Sequence, residues 1–157
     1  MRQTHSCTDS ASISAKLNQI KAFYETLSPS SLDQISELYG PEARFKDPFQ
    51  TVQGLPAIRA VFEHMFAIQP HSRFVVDGIT QTAHPLTVPA QSCLRWTYWL
   101  VLRGKTVSIQ GCTWLCLDQQ GYIVDHRDYW DAAEELYEKL PALSWLMRWL
   151  RRKIAPG

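Results

Sequence analysis

The sequence predicts an α+β domain: a cone-shaped, curved antiparallel sheet wrapped on N-terminal helices, with an extra helix at the C-terminus. Apolar residues recur at helical spacing from Ile13 to Leu27 and again from Ile58 to Phe66. From Ser72 onward, aromatic and β-branched runs separated by tight turns take over. Helices followed by a strand meander point to α+β rather than an alternating α/β order.

The first helix carries Leu17, Ile20, Tyr24 and Leu27 on one stripe. Ser28-Pro29-Ser30 ends it, and Ser30 or Ser31 can cap a short helix with Leu32, Ile35 and Leu38, stopped by Gly40-Pro41. Ala43 to Phe49 alternates as a short strand ending near Pro48. Pro56 suits the first turn of a helix whose stripe is Ile58, Val61, Phe62, Met65 and Phe66. Phe74 to Thr82 is a strand, and the segment from Thr80 to Ala90, with Pro85 and Pro89, is a loop. Ser92–Leu102 and Thr106–Leu117 are strands around an Arg103-Gly104-Lys105 turn; Asp118 to Gly121 turns into a last strand from Tyr122 to Trp130. Asp131 caps a helix from Ala132 to Leu140, which Pro141 interrupts, and an apolar stripe continues through Leu143, Leu146, Met147, Leu150 and Ile154.

This organisation predicts a tail over residues 1–12, a pocket domain over 13–133 and an amphipathic extension over 134–157. A chain of 157 residues suffices for one domain with a real core. A formal net charge of +1 gives no field for nucleic acid. Cys7, Cys93, Cys112 and Cys116 form no CxxC pair, so they read as buried thiols in a reducing compartment rather than a zinc site. Met1 to Ser14 lacks the apolar core of a secretory signal, so the expected location is cytoplasmic. No nucleotide-binding or nucleophile-elbow motif is present, and no cofactor is expected.

Four short segments carry a resemblance: Phe45-Lys46-Asp47-Pro48, Gly54-Leu55-Pro56-Ala57-Ile58-Arg59, Asp118-Gln119-Gln120-Gly121 and His126-Arg127-Asp128-Tyr129-Trp130. In this order and spacing, from about Ala15 to Ala133, the chain resembles the nuclear transport factor 2-like superfamily, which includes SnoaL-like cyclases and ketosteroid isomerases. The resemblance implies the cone fold and a homodimer formed through the outer sheet faces. It places the isomerases' general base at Asp47. It places their oxyanion-hole tyrosine at Phe23, with Tyr24 one residue away, and their second oxyanion donor at Thr113. Phe23 cannot donate a hydrogen bond and Thr113 is a weaker donor than a carboxylic acid. Losing one such donor costs on the order of 10²-fold in rate, so a standard ketosteroid isomerase is not expected.

Alternation places His126, Asp128 and Trp130 on one face of the last strand, and the resemblance makes Trp130 a cavity-lining residue. The expected catalytic pair is therefore Asp47 with His126. The expected ligand-binding lining is Phe23, Tyr24, Phe45, Phe62, Thr113, Asp128 and Trp130 around a small apolar molecule. A carboxylate among rings beside an imidazole suits cofactor-independent acid–base chemistry such as isomerisation, cyclisation, dehydration or hydrolysis. Each residue also has a plainer reading: Asp47 as a turn residue before Pro48, His126 as a satisfied core histidine, Asp128 as its partner. His126 and Asp128 lack a third metal ligand at suitable spacing, so no metal is expected.

The alternatives to a small-molecule pocket are a non-catalytic dimeric interaction domain and a peripheral membrane domain. The last rests on Trp145 to Lys153, where two tryptophans flank Arg148, Arg151, Arg152 and Lys153. Against it, the same stripe can pack on the domain's own sheet or across a dimer while its arginines stay solvated.

Overall fold

The computed structural model describes residues 6–81, 90–137 and 140–154. The elements run α1 (Ser6–Glu25), a 3-10 turn (Pro29–Gln34), α2 (Ile35–Leu38), β1 (Tyr39–Lys46), β2 (Thr51–Gln53), α3 (Leu55–Ile68), β3 (Arg73–Gln81), β4 (Ala90–Leu102), β5 (Lys105–Leu117), β6 (Ile123–Tyr129), α4 (Ala132–Glu135) and α5 (Pro141–Ile154). The predicted loop containing Pro85 and Pro89 lies mostly outside the described residues, as do the first five residues of the predicted tail.

The six strands form one curved, unclosed sheet in the order β2-β1-β6-β5-β4-β3. Strands β4 to β6 are the expected meander, and β3 extends it by pairing antiparallel with β4. β4 and β5 pair over their whole length through the two-residue turn Arg103-Gly104, where Leu102 faces Lys105. Both turn residues have positive φ (52° and 75°), the backbone whose twist matches a hairpin. β1 enters beside β6 in parallel, with Phe45 opposite His126. That parallel pairing was not apparent in the alternation pattern, and it sets the site described below.

The inner face of β4 and β5 follows strand parity: Leu94, Trp96 and Leu100 of β4 and Ile109, Thr113, Leu115 and Leu117 of β5 are all buried. On β6 both Ile123 and His126 are buried, because a register shift opposite Cys116 and Leu117 breaks the alternation between them. Leu17, Ile20 and Tyr24 of α1, with Ile58, Phe62 and Phe66 of α3, cover that face. Each fully buried large apolar side chain contributes roughly 1.5–3 kcal/mol, so closing the cone with α1 and α3 adds several such contributions to stability.

Several boundaries differ from the sequence expectation for local reasons. α1 begins at Ser6 rather than Ile13. The short helix opens at Ser28, whose backbone N–H donates to Ser31 Oγ at 2.9 Å, and its first part is 3-10. β1 starts at Tyr39, because Gly40-Pro41 falls in a bulge between Tyr39 and Arg44 instead of ending the element. The expected helix from Ala132 stops at Glu135, although Asp131 caps it as anticipated by accepting from Ala133 and Glu134 N–H. Pro141 then opens α5, a position where its missing N–H costs nothing. Cys93, Cys112 and Cys116 are free thiols, half-buried rather than buried.

Candidate functional site

A continuous chain of polar groups crosses the interior of the cone. Tyr24 Oη lies 2.6 Å from Tyr39 Oη, which lies 2.7 Å from His126 Nδ1; Tyr24 Oη is itself 3.1 Å from the same nitrogen. On the other side of the ring, His126 Nε2 is 2.9 Å from Asp128 Oδ1. Thr113 Oγ1 donates to that same carboxylate oxygen, and Trp96 Nε1–H donates to Thr113 Oγ1 at 2.8 Å. Two arms of donors thus converge on one oxygen of Asp128.

The chemistry fixes the hydrogens along this chain. A carboxylate only accepts, so in the neutral imidazole Nε2 carries the hydrogen and Nδ1 accepts from Tyr39. Burial raises the Tyr24 phenol well above the ordinary tyrosine range, and Tyr39 and then Asp128 push it further. Burial also raises Tyr39; its bond with Tyr24 opposes that shift without offsetting it, while Asp128 adds to it. Both phenols therefore stay protonated and remain donors at neutral pH.

Each member is positioned by its element. Tyr24 comes from the apolar stripe of α1, one turn beyond Ile20. Tyr39 precedes the β1 bulge. Thr113, His126 and Asp128 point inward by parity from the paired strands β5 and β6, where Thr113 is opposite Asp128. Phe45 packs on the imidazole with ring centroids 4.4 Å apart, and Phe62 lies 5.8 Å beyond Phe45. Gly111 makes room for the indole of Trp96: a Cβ there would fall 2.6 Å from the ring and 3.0 Å from Trp130 Cβ. At the rim, Phe49 meets Trp130 edge to face at 5.4 Å.

His126 is only 1% exposed, whereas the Asp128 side chain keeps 18%. Among the described residues Asp128 Oδ2 has no hydrogen-bond partner. Asp128 is thus where the buried chain reaches accessible space.

Of the residues expected to line the site, Tyr24, Phe45, Thr113, His126 and Asp128 come together directly, and Phe62 and Trp130 border them. Asp47 is held differently. It lies one residue past the end of β1, and its Oδ1 accepts from the N–H groups of Phe49 (2.7 Å) and Gln50 (2.8 Å) while Oδ2 accepts from Gln50 Nε2 at 3.1 Å. Phe23 is buried against Tyr24 but lines a crevice between α1 and α2 with Gln19, Thr26 and Glu37. Among its neighbours on α1, Tyr24 supplies the interior hydroxyl.

Two members of the chain, Tyr39 and Trp96, were missed in the sequence. Trp96 could have been found by alternation, since Leu94, Trp96 and Leu100 share one face of β4. Tyr39 is hidden by Pro41, which argues against extending a strand back across it.

The family model described as the SnoaL-like domain matches residues 20–126. The chain belongs to the SnoaL-like domain family. Solved structures agree on the fold. A Mycobacterium tuberculosis epoxide hydrolase of the LEH-like type is 20% identical, with a TM-score of 0.59 over 86% of this chain and 96% of its own. A Jannaschia protein described as a SnoaL-like polyketide cyclase is 15% identical, with a TM-score of 0.63 over 99% and 100%. An Agrobacterium tumefaciens protein described as an isomerase of the SnoaL-like family is 19% identical, with a TM-score of 0.59 over 77% and 98%. No curated protein matches the chain. At these identities the likeness of this SnoaL-like protein to its neighbours is one of fold.

Proposed function

We propose that this SnoaL-like protein binds a small apolar molecule at the open end of its cone and carries out cofactor-independent acid–base chemistry on it, with Asp128 as the proton acceptor and His126 as the residue that orients it. The observation that carries this reading is the asymmetry of the Asp128 carboxylate. Oδ1 is fixed by His126 and Thr113, while Oδ2 has no partner among the described residues and lies at the accessible end of an otherwise buried chain. A carboxylate so held is preorganised, with one oxygen left for the substrate proton. The aromatic pair Phe49 and Trp130 at the rim favours an apolar ligand. Asp47, whose oxygens are occupied by its own turn, has the plainer role of shaping the link from β1 to β2.

Two reaction types fit one basic oxygen in an aromatic site: removal of a proton beside a carbonyl, and activation of water against an epoxide. Neighbours in fold are described as an isomerase and as an epoxide hydrolase, so both types enter the test. The test is turnover of a panel of apolar epoxides and enolisable ketones by the wild type and by Asp128→Asn. The variant keeps an acceptor for His126 but loses the base, and its kcat should fall by about 10²–10⁴-fold with the fold intact. An unchanged kcat overturns the assignment.

A further inference from the structure

Helix α5 has no role in the interior site, and its surface is unlike the rest of the chain. Trp145 is 67% exposed and Trp149 48%, with Leu143 and Leu146 also open to solvent, whereas Ser144 is buried. So Ser144 marks the side of α5 turned toward protein, and the tryptophans lie on the side turned away. Residues 145, 149 and 152 follow one another at spacings of four and three, so exposed Arg152 continues the row of the two tryptophans. Of the expected apolar stripe, Leu143 and Leu146 are open to solvent, and the flanking Trp145 and Trp149 are more exposed still.

Charge is segregated in the same place. From Pro141 to Gly157 there are four basic residues (Arg148, Arg151, Arg152 and Lys153) and no acidic one, while the whole chain is only +1; the remainder is therefore −3. A wide exposed stripe of Trp and Leu beside a net charge of +4 is the pattern of a helix that lies in the boundary of an anionic bilayer. Trp sits at headgroup depth, and long basic side chains reach lipid phosphates. At 14 residues α5 is about 21 Å long, short of the roughly 30 Å hydrocarbon core, and no helix among the described residues can cross a membrane.

We propose that α5 is an interfacial anchor that docks the protein on an anionic lipid surface, with Trp145, Leu146 and Trp149 inserted and Arg152 at the headgroups. Charge complementarity selects the lipid occupant: a +4 segment without an acidic residue suits anionic headgroups, whereas an apolar-to-apolar pairing of two α5 helices would bring two +4 segments together.

The experiment is co-sedimentation of the full chain with phosphatidylglycerol vesicles and with phosphatidylcholine vesicles, at low and high salt. Binding is expected to the first and not the second, weakening as salt rises. Arg152→Gln should weaken it by roughly fivefold. Trp145→Ala/Trp149→Ala should abolish pelleting at unchanged melting temperature, since both side chains are exposed. Failure to bind phosphatidylglycerol, equal binding to both vesicles, or undiminished binding by the variants overturns the proposal. So does a lipid-free dimer that the tryptophan variant converts to monomer, which would make a second copy the occupant.

Discussion

His126 and Asp128, two residues apart on β6, face each other across 2.9 Å from Nε2 to Oδ1, and the pair links a fully buried hydroxyl cluster to accessible space. Because His126 bonds at both ring nitrogens, replacing it leaves Tyr39 and Asp128 short of partners and opens a void against Phe45. His126→Ala is expected to destabilise the fold by about 3 kcal/mol in urea unfolding. A change below about 1 kcal/mol would mean that the buried chain is not structurally coupled.

Gly111 and Trp96 form a second tight relationship. A methyl group at 111 has no room beside the indole, which is itself tied to Thr113. Gly111→Ala should cost about 1–3 kcal/mol and shift or broaden the Trp96 indole N–H resonance, because the ring must move off Thr113. A native-like resonance and melting temperature would contradict the packing.

The buried phenols make an alkaline prediction with a definite sign. Tyr24 and Tyr39 have raised pKa values in the folded state, chiefly through burial, while in the unfolded chain they titrate near the ordinary value of 10.0. Above that value the unfolded state binds fewer protons. Their contribution to stability is therefore complete below about pH 10 and is lost as pH rises from there toward the folded values. The slope is about 1.4 kcal/mol per pH unit for each tyrosine. Tyr39→Phe should reduce the slope of unfolding free energy above pH 10 by about that amount, and an identical slope would show that Tyr39 is not held as a neutral phenol.

Much of this was legible in the sequence because it depends on periodicity. The stripe of α1 put Tyr24 among Leu17, Ile20 and Leu27, and alternation on β6 put His126 and Asp128 on one face. What was not legible depends on contacts between segments distant in sequence. The parallel entry of β1 beside β6, which brings Tyr39 and Phe45 to the imidazole, has no local signature. The bulge around Pro41 breaks the alternation that would have announced Tyr39. The hydrogen bonds around Asp47 depend on a turn whose closing strand, Thr51–Gln53, is too short to be read from three residues.

Asp47 itself yields a modest prediction. Its Oδ1 accepts two backbone N–H groups in the turn, so Asp47→Ala should lower stability by about 1 kcal/mol while the far-UV spectrum stays native. Unchanged stability would show that these turn bonds contribute little.

The most direct measurement is kcat for Asp128→Asn and Asp47→Asn on the same turned-over substrate. The expected result is a loss of about 10²–10⁴-fold for Asp128→Asn and less than about threefold for Asp47→Asn. The reverse order, with Asp47→Asn inactive and Asp128→Asn near wild type, would contradict it.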